Sequence, residues 1–285
     1  MASDCEVVVE HDDDAATALT AAHAEVLRIE AKYSRYRDDS VLSAINREAG
    51  GGAVAVDDET AALLDFATTA HAASDGHFDA TSGVLRRAWD FRAGIVPTPA
   101  DLSALLPLIG WQRVAWQRPF VRLPLAGMEL DFGGFGKEYA ADRACAVLMA
   151  HGIGHGYVNL GGDVRVAGPR SDGTPWQVGI QHPRAPETML ARIALATGAL
   201  ATSGDYERFI ERDGARHCHV LDARTGASVQ GVRSVSVVAP LCVVAGMHAT
   251  IAMLHGERAQ EYLDQCGCAY LLVDGAGAVR GSLAL

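Results

Sequence analysis

Twenty consecutive residues without a formal charge, Val235 to Leu254, constrain this chain more than any other stretch. Such a run can cross a membrane as one helix or be buried inside a large core. Pro240 sits within it and removes a backbone donor, which breaks a helix. Gly246 and His248 interrupt the apolar run further on. The stretch therefore reads as a strand over Ser234–Ala239, a turn, and a buried helix over about Leu241–His255, and not as a membrane span. A helix apolar on every side needs a sizeable core around it. The chain can supply one, with 285 residues of which 49% are hydrophobic and 21% charged.

The remaining periodicities fill in around that core. Cys5–Glu10 reads as a strand. Leu19, Ala22, Val26, Ile29 and Tyr33 recur three and four apart, the stripe of an amphipathic helix. A short helix is expected near Val41–Ile45. Another begins at the acids around Asp57, with Ala62, Phe66, Ala70 and Ala73 on one face, and ends at Asp75-Gly76. Arg113–Trp116 and Phe120–Leu125 form a hairpin about Gln117-Arg118-Pro119. Glu129–Phe132 reads as a strand that feeds a glycine-rich loop and then a helix from about Lys137. Ala141, Ala144, Cys145 and Leu148 are that helix's buried stripe, and Gly152 stops it.

Further strands are expected at Tyr157–Leu160, Val164–Ala167, Trp176–Ile180, Ala191–Ala196, Arg208–Glu211 and Arg216–Leu221. Asp213-Gly214 marks a hairpin. A last helix over Glu257–Cys266 precedes a hairpin at Asp274-Gly275. Strands and helices mix without strict βαβ alternation, so the fold class is α+β. No Pro, Gly and Ser-rich linker divides the chain, which reads as one compact domain over residues 1–285.

Net charge is −11, which repels nucleic-acid phosphates over the average surface and argues against a nucleic-acid partner. A nucleotide ligand remains compatible, because backbone N–H groups and a local lysine bind phosphate in an acidic protein. Six cysteines without a CxxC pair suit a reducing compartment. The N-terminus lacks the basic and long apolar regions of a secretory signal, so a cytoplasmic location is expected.

Several segments carry chemistry. In Asp131–Lys137 a strand runs through Gly-Gly-Phe-Gly-Lys into a helix. Glycines admit a ligand close to the backbone, and the helix N-terminus with Lys137 suits a pyrophosphate. The plain alternative is a strand-to-helix turn with a surface lysine; the P-loop spacing is absent. Gly161-Gly162 marks either a structural corner or a close approach to ligand. Thr202-Ser203-Gly204 offers hydroxyls and N–H groups to a ligand or simply makes a turn. In His217-Cys218-His219, residues two apart share a strand face, and two histidines without a third ligand make a poor zinc site. His219 alone qualifies as a general base by its ordinary pKa, or as a packed histidine. No Gly-x-Ser-x-Gly elbow and no dinucleotide fingerprint occur.

Taken together, in this order, Asp75–Thr81, Leu130–Lys137, Asn159–Asp163, Ala201–Tyr206 and His219–Gly226 resemble the FAD:protein FMN transferase (ApbE-like) family. Met1-Ala2-Ser3 and Ser34–Arg37 with Ser40 and Asn46 are similar to its earlier motifs. The resemblance implies a T-fold-related domain of mixed, mainly antiparallel sheets with packed helices. It implies FAD as substrate, an acceptor flavoprotein with a Thr or Ser hydroxyl, release of AMP, and Mg²⁺. By position Tyr36 would pack on the flavin, and His77, Phe78 and Asp79 would line the cleft with Met1 near it. Asp131, Lys137, Gly161, Gly162, Ser203 and the backbone of Val220 would contact the nucleotide. His219 would deprotonate the acceptor. The Gly134 carbonyl and Thr250 would hold the metal.

One departure bears on that metal. The family's Ala-Asp-x-x-x-Thr reads Ala245-Gly246-Met247-His248-Ala249-Thr250 here, so the anionic ligand is missing. Smaller departures are Gly136 for alanine, Glu138 for glycine and Ala223 for proline. Three readings follow: a transferase in which Asp163, Asp205 or phosphate oxygens compensate, a flavin-nucleotide binder that transfers weakly or not at all, and a metal-dependent FAD pyrophosphatase. Gly246→Asp is expected to strengthen Mg²⁺ binding and speed transfer.

Overall fold

The computed structural model describes residues 4–10 and 15–283. In chain order the first elements are β1 (Cys5–Val9), α1 (Ala16–Tyr33), α2 (Val41–Arg47), β2 (Val54–Ala55), α3 (Asp58–Ala73) and α4 (Pro99–Leu105). Next come β3 (Ala115–Gln117), β4 (Phe120–Arg122), α5 (Gly136–Ala150), β5 (Gly156–Leu160), β6 (Asp163–Gly168), β7 (Trp176–His182) and β8 (Ala185–Leu195). The last are β9 (Gly198–Gly204), β10 (Phe209–Arg212), β11 (Ala215–Cys218), β12 (Val232–Ala239), α6 (Cys242–His255), α7 (Ala259–Gln265), β13 (Ala269–Asp274) and β14 (Val279–Gly281).

A seven-stranded sheet in the order β1-β5-β6-β9-β12-β13-β14 organises the fold, and its neighbours pair antiparallel. Side chains alternate between its faces. Ala199, Ala201, Val235, Val237, Tyr270 and Leu272 join the main core, where α6 packs on β9 and β12, α5 on β5, β6 and α6, and α1 on α5. Val164, Val166, Leu200, Leu271 and Val273 join a second core on the opposite face. The β7–β8 ribbon closes that core with Ile180, Ala191, Ile193 and Leu195. The result is a single compact α+β domain with mainly antiparallel sheets and packed helices. The charge-free stretch became β12 and α6, and α6 is buried over most of its length.

Three readings need correction. The buried face of α3 is Thr60, Ala61, Leu63, Leu64, Ala67 and Ala70, whereas Ala62 and Ala73 face solvent. The two leucines remove far more apolar area from water than the alanines do, so they set the face. Glu129–Phe132 is not a strand and makes one isolated bridge, Glu129 to Ser82. The Asn46 amide replaces a partner strand there: Leu130 N–H donates to Asn46 Oδ1 at 2.6 Å, and Asn46 Nδ2 donates to the Leu130 carbonyl at 2.9 Å. Thr202-Ser203-Gly204 is no turn; it ends β9, in the middle of the sheet. Its small residues read as turn formers, but here they continue the strand, with Ser203 on the α6 face, where it hydrogen-bonds Thr250.

Candidate functional site

The N-terminal end of α5, the β5–β6 corner, β9 and α6 converge on one cluster of polar side chains. The corner residues Gly161 and Gly162 have φ of 63° and 92°, the left-handed pair of a two-residue hairpin turn. That turn delivers the buried Asp163, whose carboxylate pairs with Lys137 Nζ at 2.5 Å. Lys137 also reaches the Gly161 carbonyl at 3.4 Å. The Thr202 N–H donates to Asp163 Oδ1 at 3.1 Å, and Ser203 and Thr250 share a hydroxyl hydrogen bond of 2.8 Å. Burial by itself would lower the Lys137 pKa, but Asp163 and Glu138 beside it raise it, so the ammonium stays charged.

Glu138 sits one residue into this cluster and is 8% exposed. Its Oε2 is buried without a hydrogen-bond partner. Burial first, then the charge of Asp163, pushes its pKa well above the ordinary carboxylate range, with Lys137 acting in the opposite sense. The carboxyl packs on Gly246 of α6: a Cβ added there would lie 2.7 Å from Glu138 Cγ and 3.0 Å from Oε1. A side chain at position 246 would need the Glu138 side chain to move, which sets a cost against the gain expected of Gly246→Asp.

His219 follows β11 and is tied to the neighbouring ribbon by its backbone N–H, which donates to the Arg208 carbonyl at 3.0 Å. It lies past the end of the strand, so the shared-face argument for His217 and His219 does not apply. Its Nδ1 is buried without a partner. Burial, followed by the charges of Arg208 and Lys137, pulls the imidazole pKa down to about 4. The ring is thus neutral at neutral pH. A depressed histidine pKa favours the folded state above its unfolded value, and this contribution fades as pH falls from 6.5 toward 4. In an NMR titration the His219 ring is expected to show a midpoint of about 4. A midpoint near the ordinary histidine value of 6.5 would refute the buried placement.

A second group lies along the Asp131 loop. Arg35 pairs with Asp131 and donates to the Tyr36 hydroxyl at 2.9 Å, with its guanidinium 5.0 Å from the Tyr36 ring centre. Tyr36 is 79% exposed, an aromatic face open to solvent. Asp131 also accepts from the Gly133 N–H at 2.9 Å. The Phe78 ring lies on Gly134, where an added Cβ would come within 2.8 Å of it. His77 bridges two residues of the His219–Gly226 segment. Arg224 lies 3.1 Å from Nε2 and can only donate, so Nδ1 carries the proton and gives it to Asp222 at 3.1 Å. The Val220 carbonyl accepts from the Val229 N–H at 3.1 Å. Asp79 is not at a surface: its carboxylate accepts from the Thr81 N–H and hydroxyl and from the Trp111 N–H. Met1 lies outside the described residues.

A family model described as the ApbE family matches residues 1–272. The chain belongs to the ApbE family. It is 31% identical over 232 residues to a protein named FAD:protein FMN transferase from Vibrio cholerae, covering 79% of this chain and 69% of that one. A protein of the same name from Treponema pallidum is 33% identical over 242 residues, covering 78% and 67%. The crystal structure of an ApbE protein from Thermotoga maritima superposes with a TM-score of 0.92 at 32% identity, covering 98% of this chain and 94% of that chain.

Of the carboxylates weighed as compensating for position 246, Asp205 is already engaged. Arg184 grips both its oxygens at 2.6 Å. Among the described residues no group of three or more His, Cys, Asp and Glu side chains is placed to hold a metal. Sequence reasoning missed Glu138 as part of the site. The signal was present as two separate departures, Glu138 for glycine and Gly246 for aspartate, whose partnership only the packing of α5 on α6 reveals. No helix among the described residues is long and apolar enough to cross a membrane.

Proposed function

We propose that this chain, as one flavin-nucleotide domain, transfers the FMN half of FAD to a Thr or Ser hydroxyl of an acceptor flavoprotein and releases AMP. The observation that carries this reading is His219: a neutral ring with an unpartnered Nδ1, close enough to Lys137 to feel its charge. Tyr36, His77, Phe78 and Met1 would meet the flavin side. Lys137, Asp131, Gly161, Gly162, Ser203 and the Val220 backbone would meet the nucleotide, while Asp79 holds the cleft wall from behind. The acceptor oxygen attacks the FMN-side phosphorus, its proton passes to the His219 imidazole, and the bridging P–O bond breaks as AMP leaves. Lys137 neutralises phosphate charge as it develops.

The residues also fit Mg²⁺, since the Glu138 carboxylate has a buried oxygen without a hydrogen-bond partner and Thr250 adds a hydroxyl, donors of the hard-oxygen kind this ion takes. The Gly134 carbonyl and the Thr250 hydroxyl would hold it. Bound there, the ion would supply further neutralisation of the phosphate oxygens. The free thiols of Cys145, Cys218, Cys242, Cys266 and Cys268 support a reducing, cytoplasmic setting. Incubation with FAD and a peptide of the Asp-Gly-x-Thr-Ser-Ala-Thr type, with Mg²⁺ or EDTA, tests the reading by mass spectrometry. An FMN adduct with free AMP supports it. AMP without adduct would mean hydrolysis, and FAD recovered intact on the protein would mean binding alone.

A further inference from the structure

We propose that the Glu138 carboxylate, presented from α5, is the anionic ligand of a divalent-cation site, in the place of a carboxylate on α6 at position 246. The inference rests on the transferase reading for the kind of cation and the presence of a diphosphate. It stands on four features of this chain.

The first is shared volume. A side chain at 246 would start 2.7 Å from Glu138 Cγ and 3.0 Å from Oε1, so the Glu138 carboxyl fills the space such a side chain would use. The second is the unpartnered Oε2 on a residue 8% exposed. A buried carboxylate oxygen ordinarily finds a donor, and one left open has room for a ligand of positive charge. The third is charge. Glu138 and Asp163 are both buried, and Lys137 is paired with Asp163. These three groups balance only with a proton on one of the two carboxyls, and a bound cation would take that proton's place. The available donors, carboxylate and hydroxyl oxygens, suit a hard divalent ion.

The fourth is register. Asp142 of α5 accepts from the first N–H groups of α6, Cys242 at 2.8 Å and Val243 at 2.9 Å. One turn toward the start of α5 and one turn along α6, Glu138 meets Gly246. Helical residues four apart share a face. The same step of four along α6 leads to Thr250, and Gly134 lies in the turn that leads into α5. Glu138 is thus placed on the α6-facing side of α5, near the start of that helix and one turn from the level of Thr250.

The test uses Mn²⁺ as probe on the full chain with FAD present, with free Mn²⁺ measured by EPR. The unaltered protein is expected to bind Mn²⁺, and Glu138→Gln to weaken binding by about 10- to 100-fold while keeping the fold by circular dichroism. Combining Glu138→Gly with Gly246→Asp moves the carboxylate back to α6 and is expected to restore affinity to within a few-fold. Gly246→Asp alone is expected to lower Tm without tightening Mn²⁺. Binding that is absent in the unaltered chain, unaffected by Glu138→Gln, or tightened by Gly246→Asp alone would overturn the proposal. If Mn²⁺ follows the expected pattern while no FMN adduct ever forms, the transferase reading falls and the cation site stands. Adduct formation with Mn²⁺ binding indifferent to Glu138→Gln gives the converse.

Discussion

Replacing His219 with asparagine is expected to slow FMN transfer by about 10²- to 10⁴-fold, the usual range for removing a positioned general base. FAD affinity should change far less, because the diphosphate contacts assigned to Lys137 and the loops remain. The sharper readout is the pH profile. With the imidazole held at about 4, the acid limb of kcat/KM for FAD, which reports the free enzyme, should fall well below the ordinary histidine value. In His219→Asn that limb should vanish and the residual rate should climb with pH as the acceptor hydroxyl ionises unaided. An unchanged rate would remove His219 from the chemistry. A lost rate with equally lost FAD binding would make it a packing group.

Asp79→Asn is expected to destabilise the fold by about 2–4 kcal/mol, with little effect on FAD affinity in the folded fraction. Both Asp79 oxygens are occupied. Oδ1 accepts from the Thr81 N–H at 2.7 Å and the Thr81 hydroxyl at 2.6 Å, and Oδ2 accepts from the Trp111 N–H at 2.7 Å. Thr81 passes the connection on, since its oxygen accepts from the Gly110 N–H at 2.8 Å. An amide at position 79 keeps the shape but offers only one accepting oxygen. Its NH₂ must face either the Thr81 or the Trp111 donor, leaving a buried N–H unmet. Urea denaturation should show a lower midpoint with unchanged slope. Full stability with weakened FAD binding would instead place the carboxylate in the cleft.

The two cases show where reading from sequence succeeds and where it stops. The charge-free stretch was legible because Pro240 divides a run whose burial needs no partner to be specified. The stripe of α1 was legible because its spacing repeats over several turns, although Ala18 is buried and Leu19 only partly so. The Gly161-Gly162 corner was legible because two left-handed residues need glycine. The α3 face was misjudged because alanines fit either side of a helix. Glu129–Phe132 failed as a strand because its partner is the side chain of Asn46, remote in sequence. Glu138 failed for the same physical reason. A motif lists positions along one segment, whereas the space for a carboxylate is set by two helices at once.

That shared space has a consequence for how such a chain can change over generations. Positions 138 and 246 share one space, since a Cβ at 246 would come 2.7 Å from Glu138 Cγ. Moving the acid from one helix to the other takes at least two replacements, and their order is not neutral. Adding the second acid first crowds two like charges in a dry site and endangers the fold. Removing the first acid leaves a small empty slot, tolerable to the fold but poor at holding a cation. Any stepwise exchange therefore passes through either an unstable intermediate or a metal-weak one. Diphosphate oxygens supplied by the substrate are what would keep the metal-weak intermediate in use.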